Sequence, residues 1–228
     1  MNSNELGARI RAARLSKGKS LRATATDLSI SPSLLSQVET GKVQPSVSTL
    51  YAIVANLEIS LDELFETETT KTDPAPEPRP SRPRTPVQRY EDAPEIKMEN
   101  GVSWSGLAVM DPRGPIDAIL ATYQPGAASS VDDTFMRHEG VEHGYLISGQ
   151  LTLKLNFESY VLRPGDSLCF DSTRPHVYVN DGDVPAVGVW FVVGRSPDDS
   201  GAASRPVRTV VDALDAISRV NGEAQSAK

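Results

Sequence analysis

Between Leu6 and Phe65, apolar residues recur three or four positions apart, the period of a helix with one buried face. Leu6, Ile10, Ala13 and Leu15 predict a first helix that stops near Lys17-Gly18, where glycine permits a left-handed cap. Ser20 is placed to cap a second helix carrying Leu21, Ala25 and Leu28. A turn at Ser29-Ile30-Ser31 leads to a third helix that begins at Pro32, where a missing N–H costs nothing, and stops at Gly41. Ser46 caps a fourth helix with Leu50, Ile53, Val54 and Leu57, and Ser60 to Phe65 make a fifth. Beyond residue 90 the period changes to two. Tyr145–Ile147, Leu151–Leu155, Ser167–Phe170 and Val187–Val193 read as strands, separated by turns at Ser148-Gly149, Arg163–Asp166 and Asn180–Asp183. A last stripe, Val210, Val211, Leu214, Ile217 and Val220, has helical spacing.

These changes of pattern divide the chain into a helical head (1–65), a linker (66–90), a β domain (91–195) and a tail with a helix (196–228). Six of the 17 prolines fall in the linker among charges and almost no large apolar residues. Such a segment cannot bury enough surface to fold and is expected to be an extended, semi-stiff tether. The net charge of −7 conceals an asymmetry: residues 1–57 hold seven basic and three acidic side chains, so that stretch is at +4 and the rest of the chain at −11. A basic head on an acidic body fits a local contact with phosphates. The one cysteine, Cys169, excludes an internal disulfide and is expected to be a small core residue. The first residues have no apolar signal region, and no apolar run approaches the ~18 residues of a membrane span. The expected location is the cytoplasm, with no membrane partner.

In the third helix Leu35 and Val38 point inward, which turns Ser33, Ser36 and Gln37 to the opposite face at i, i+3 and i+4. Short hydroxyls and one amide suit base edges in a major groove, since glutamine can pair twice with adenine. Ser20, Arg22, Ser31 and Lys42 complete the expected DNA-contacting set, with Arg22 and Lys42 on phosphates. The segment resembles the Xre, lambda-repressor-like family of helix-turn-helix regulators. Ser20-Leu21-Arg22, Ala25, Ser31-Pro32-Ser33, Leu35-Ser36, Glu39, Gly41, Pro45-Ser46, Thr49-Leu50 and Leu61–Phe65 carry the resemblance over residues 4–65. It departs at Thr24, where leucine is usual, and at Ser29, where the turn glycine is common. The resemblance implies a five-helix DNA-binding domain.

The β domain contains His138-Glu139-Gly140-Val141-Glu142 and, further on, Arg174-Pro175-His176. Placed on one strand, His138 and Glu142 share a face by the period of two, and His176 would join them from another strand. Two histidines and one carboxylate can hold a divalent metal, with Fe, Zn, Ni and Mn all compatible. The region resembles the cupin superfamily, an all-β double-stranded β-helix or jelly roll. His138, Glu142 and Gly149 match its first motif; Gly165, His176 and Asn180 match its second. The family's usual first histidine falls at Met136, which shares the strand parity of His138. Two readings stay open: a metal site on His138, Glu142 and His176, or an effector pocket for an organic ligand lined by these three and Met136. Trp104 and Trp190 are read as core, and His143 as an outward-facing residue.

The expected protein is therefore of α+β class with two domains. It is a non-enzymatic, homodimeric transcription regulator that binds operator DNA and responds to a small-molecule effector, a divalent metal, or both. The alternative is an Fe(II)-dependent oxygenase resembling hydroxypropylphosphonic acid epoxidase, which also joins a helical head to a cupin.

Overall fold

The computed structural model describes residues 3–59, 61–65, 86–108, 116–131 and 134–194. The C-terminal stripe from Val210 to Val220 and most of the proline-rich linker lie outside the described residues.

The head holds helices α1 (Ser3–Ser16), α2 (Leu21–Asp27), α3 (Pro32–Glu39) and α4 (Val47–Leu57), and a five-residue α5 (Leu61–Phe65). The expected fifth helix is thus only a single turn. Serine hydroxyls start three of the helices: Ser20, Ser31 and Ser46 accept from the backbone N–H groups of Ala23, Leu34 and Thr49, satisfying donors that a helix cannot satisfy internally. Leu6, Ile10, Leu35, Val38, Leu50, Ile53, Val54 and Leu57 form the core. Leu15 is not part of the buried stripe. It is 56% exposed, and Arg14 turns inward in its place. The Arg14 guanidinium forms a bidentate pair with Glu39, 2.6 Å to Oε1 and 2.8 Å to Oε2, and donates to the Lys19 carbonyl at 2.8 Å. This pair joins α1 to the end of α3.

Among the described residues, the β domain contains nine strands in two sheets. The first six-stranded sheet has the order β1 (Glu95–Lys97), β2 (Val102–Gly106), β3 (Ile116–Tyr123), β9 (Ala186–Val193), β4 (Val141–Ser148) and β7 (Ser167–Asp171). The second has the order β6 (Glu158–Leu162), β5 (Leu151–Leu155) and β8 (His176–Val179). Neighbouring strands are antiparallel throughout. Single bridges from Ala128 to Val179 and from Met136 to His176 bring the segment before β4 alongside β8. Trp104, Ile119, Tyr123 and Trp190 from the large sheet and Leu153, Leu155 and Tyr178 from the small one belong to a single buried cluster.

Cys169 is exposed, contrary to the core position expected for it. In β7 it is Phe170 that is buried, and strand alternation turns Cys169 outward with His143 opposite.

Head and barrel share one buried cluster. In α4, Val47, Leu50, Tyr51, Ala52, Ile53, Val54 and Leu57 are all buried. A helix apolar on nearly all sides needs cover on nearly all sides. The head covers one side of α4 and the barrel covers the other. Tyr51 packs edge-on against Trp104 of β2, with ring centroids 5.3 Å apart. The Ser48 N–H donates to the Ser129 carbonyl at 3.1 Å, and the Phe65 ring lies against Gly106. Of the residues assigned to the tether, Gln88 is docked on β2 through a 2.7 Å hydrogen bond from Nε2 to the Gly106 carbonyl.

Candidate functional site

Two groups of residues carry chemistry: an exposed face of α3 and a buried cluster inside the barrel. On α3, Ser33 and Gln37 are exposed and Ser36 is half-buried, while Leu35, Val38 and Glu39 are buried. Ser20, Arg22, Ser31 and Lys42 are also exposed. The hydroxyls of Ser20 and Ser31 act as N-caps. Much of the head's positive charge is committed internally. Arg14 pairs with Glu39, Lys17 with Glu58 at 2.7 Å, and Lys19 Nζ donates to the Asn56 carbonyl at 2.8 Å. The charge count therefore overstates what faces outward.

In the barrel, His138, Glu142 and His176 are 3%, 2% and 0% exposed, and one ligand atom from each lies within 4.8 Å of the other two. The route to this meeting differs from the expected one. His138 does not lie on the strand that carries Glu142, because β4 begins only at Val141. Gly140 bends the chain at φ 107°, and a Cβ there would stand 2.8 Å from the Val193 carbonyl oxygen. Backbone bonds from His138 N to Ser172 O and from Ser172 N to Gly140 O pin the bend. The two side chains converge across a turn.

Both imidazoles are tied on their outer nitrogen. His138 Nδ1 lies 3.1 Å from the Glu139 carbonyl, and His176 Nδ1 lies 2.8 Å from that of Arg174. A carbonyl only accepts, so each Nδ1 donates there, and each Nε2 is turned toward Glu142, where it can donate a proton to the carboxylate or offer its lone pair to a cation. Those two Nε2 atoms face the same carboxylate oxygen, Glu142 Oε1, at 3.0 and 3.5 Å. At 3.5 Å the contact with His176 is not a hydrogen bond, and His176 Nε2 has no hydrogen-bond partner. Two imidazole nitrogens turned on one carboxylate oxygen are complete only with a positive centre among them, a ring proton or a bound cation. For a metal about 2.1 Å from each donor, neighbouring donors stand about 3.0 Å apart at a right angle and about 3.4 Å apart at the tetrahedral angle. The residues fit such an ion, and the outward Nδ1 bonds are the orienting contacts that metal-binding histidines use.

Burial alone would raise the Glu142 carboxyl. The nearby imidazoles of His176 and His138 reverse this and hold it well below the usual carboxylate range. The other carboxylate oxygen, Oε2, accepts from the Tyr178 hydroxyl at 2.5 Å, and that hydroxyl accepts from Trp190 Nε1 at 3.1 Å. Burial, together with the Glu142 charge, pushes the Tyr178 phenol well above its ordinary value, so it remains a donor. Trp190 reaches this position because residue 144 is glycine; a Cβ there would lie 2.9 Å from Trp190 Nε1.

The cluster opens onto a pocket walled by aromatic rings. Tyr51, Trp104, Tyr123, Tyr178 and Trp190 line it together with Met136 and Glu142. Met136 thus faces the cavity, and both tryptophans are walls of the site as well as core. The sequence reading missed Tyr51, Tyr123 and Tyr178. Tyr178 could have been inferred two residues after His176, on the same strand face. Tyr51 carried no such signal, because it lies in the other domain.

Comparison with known proteins places both halves. Residues 10–64 match the helix-turn-helix family model, and residues 119–192 match the cupin domain model. The HTH-type transcriptional regulator PuuR of Escherichia coli (strain K12) is 29% identical over 174 residues, which are 76% of this chain and 86% of that protein. The chain thus joins a helix-turn-helix segment to a cupin segment and is similar along most of its length to a transcription regulator. The crystal structure of an HTH_3 family transcriptional regulator from Vibrio cholerae shares the fold, with a TM-score of 0.57 and 20% identity over 84% of this chain and 96% of that one. Hydroxypropylphosphonic acid epoxidase from S. wedmorenis is similar at 16% identity and a TM-score of 0.41, over 84% of this chain and 98% of that one. Likeness that weak carries no argument for catalysis. No described helix is long and apolar enough to cross a membrane.

Proposed function

We propose that this regulator reads operator DNA with the exposed face of α3 and senses a small-molecule effector, a divalent metal, or both, inside the barrel. The observation that carries the reading is the His138–Glu142–His176 cluster. Three buried polar side chains face one another with a nitrogen unpartnered, beside an aromatic pocket. Buried polar groups are normally satisfied, so an incomplete set marks a place for a bound species.

In this reading Ser33, Ser36 and Gln37 meet bases, with Ser20 and Ser31 at the groove edge and Arg22 and Lys42 on phosphates. Gln37→Ala should cost ~1–3 kcal/mol against the selected site and relax base choice at one position; Arg22→Ala should weaken all sequences alike. The protein acts as a homodimer in the cytoplasm, placing two α3 helices about 34 Å apart on a palindromic site. A band of exposed apolar side chains supports the dimer. Val141, Tyr145, Phe191 and Val193 are 37–47% exposed on the outer face of the six-stranded sheet, with Val141 opposite Val193 and His143 opposite Phe191. Phe191→Glu should shift the sedimentation of the protein toward the monomer.

The division of the chain at residues 65 and 90, with a barrel to 195 and a tail beyond, belongs to the same proposal. The test of sensing is His176→Ala. It should abolish the response of DNA binding to metal or effector while sparing binding itself. A response that survives both His176→Ala and Glu142→Ala would exclude this pocket as the sensor. Oxygen uptake by the Fe(II)-loaded protein would favour an oxygenase instead.

A further inference from the structure

A sensing domain must bias the DNA-reading domain through some physical contact, and a proline-rich tether transmits little. The described contacts supply one. Tyr51 lies in α4 of the helix-turn-helix head, yet it is 3% exposed and its ring stacks on His138 of the barrel cluster, with centroids 4.4 Å apart and planes 10° apart. The same ring packs edge-on against Trp104 and forms part of the pocket wall. One turn earlier on α4, Ser48 N–H donates to the Ser129 carbonyl. Ser129 is in turn locked to Tyr178: its N–H donates to the Tyr178 carbonyl at 2.9 Å, and its hydroxyl accepts from the Tyr178 N–H at 3.0 Å. The Tyr178 hydroxyl donates to Glu142. Residues 48 and 51 share one face of the helix at i, i+3. That face touches both halves of the cluster, His138 directly and Glu142 through Ser129 and Tyr178.

We propose that Tyr51 is a ligand-pocket residue supplied by the DNA-binding domain, and that its stacking on His138 couples the occupant of the barrel to the position of α4 and α3. The inference rests on the barrel cluster being the sensor. Its physical content is as follows. A species that binds His138 Nε2 withdraws charge from an imidazole already oriented by the Glu139 carbonyl, and the electron-poor ring stacks more strongly on the Tyr51 phenol. Binding therefore favours the docked head, and a docked head favours binding, by the same factor in both directions. Leu35 and Val38 of α3 are buried in the same core as Leu50, Ile53 and Val54 of α4. The reading helix therefore follows α4 as part of one packed unit. The pocket is incomplete without the head, since removing α4 leaves one aromatic wall open.

The test uses Zn²⁺ alone as the probe on the full-length protein. Zn²⁺ affinity is measured by calorimetry, and amide hydrogen exchange is followed with and without saturating metal. In the wild type, Zn²⁺ should slow exchange within the barrel and also within α4 and α3, by at least about fivefold, the lower end of a typical coupling between sites. In Tyr51→Ala, Zn²⁺ should still bind, with affinity reduced about tenfold because His138 loses an orienting neighbour, and the slowing should be confined to the barrel. Tyr51→Phe keeps the ring and should behave as wild type, which separates the stacking from the hydroxyl and guards against a fold lost in the alanine variant. Slowing confined to the barrel in the wild type, or slowing of α4 that persists in Tyr51→Ala, would overturn the coupling while leaving the barrel as a metal site. Failure of the wild type to bind Zn²⁺ would overturn the metal-site reading and this inference with it.

Discussion

The head and the barrel each bury a cluster of charged side chains, and they leave them in opposite states. In the head, Arg14 and Glu39 satisfy one another through two hydrogen bonds, and the spare guanidinium N–H groups reach a backbone carbonyl. In the barrel, Glu142 faces two imidazoles whose remaining bonds point away from it, and one nitrogen is left with no partner. Among the described residues, the head has one buried polar side-chain atom without a hydrogen bond, Thr24 Oγ1, whereas the barrel has four. A closed polar cluster serves to hold elements together; an open one is a place where something else binds. Burial and charge alone would not separate the two, because both clusters are almost fully enclosed.

The largest expected effect tests the closed cluster. Glu39→Ala leaves a buried guanidinium without its partner and should destabilise the protein by about 3–5 kcal/mol, read as a lower midpoint in urea unfolding. The double variant Arg14→Met, Glu39→Leu should recover most of that loss, because an apolar pair of similar volume carries no desolvation cost. If the single substitution costs under about 1 kcal/mol, the pair is not the clamp described here.

The open cluster should respond in the reverse manner. Glu142→Gln keeps the shape of the side chain and an oxygen for Tyr178, so unfolding without metal should shift by less than about 1.5 kcal/mol, within the range of ordinary single substitutions. Zn²⁺ at a hundred times its dissociation constant should stabilise the wild type by about 2.7 kcal/mol. That gain should vanish in Glu142→Gln and in His176→Ala, and chelation should reverse it in the wild type. Equal stabilisation of all three proteins would place the metal elsewhere.

Limited proteolysis tests whether the two regions are tethered or docked. Cleavage should begin between residues 66 and 85. Because α4 packs on the barrel through Tyr51 and Ser48, the two fragments should elute together from a sizing column and separate in Tyr51→Ala. Separation of the wild-type fragments would break the account of docking.

The smallest effects concern two local departures in the head. Thr24 is fully buried, and its hydroxyl has no hydrogen-bond partner. Thr24→Val keeps the branched shape and removes the stranded polar atom, so it should stabilise the head by about 1 kcal/mol. Ser29 adopts φ 54°, a left-handed conformation that costs a residue with a Cβ roughly 1 kcal/mol. Ser29→Gly removes that backbone cost together with the serine's own contacts, so its net effect on the urea midpoint should correspond to less than about 1 kcal/mol.

Much of the fold was readable as pattern. Helical spacing with serine caps placed α2, α3 and α4, and alternation placed β4, β5, β7 and β9, because both periods come from local backbone geometry. His138, Glu142 and His176 were readable as types of ligand, and their convergence could be expected from the cupin resemblance. Three things were misread for want of packing. Leu15 was taken for a buried position that falls to Arg14, since helical spacing admits either and only Glu39 on another helix decides. Cys169 was read as core because its neighbours are apolar, and a shift of one residue in strand parity reverses that. His138 and Glu142 were placed on one strand, where Gly140 in fact turns the chain between them.

What the sequence determined by itself is therefore local: where the capped helices begin, where strands run, and which side chains could bind a cation or a base. The tertiary structure alone decided which of those side chains share a site. The closest example is Tyr51, an unremarkable aromatic in a helix of the DNA-binding domain that ends against His138, 87 positions along the chain. No periodicity encodes that contact. It arises because α4 is apolar on nearly every side, and only the barrel can cover the side that the head leaves open.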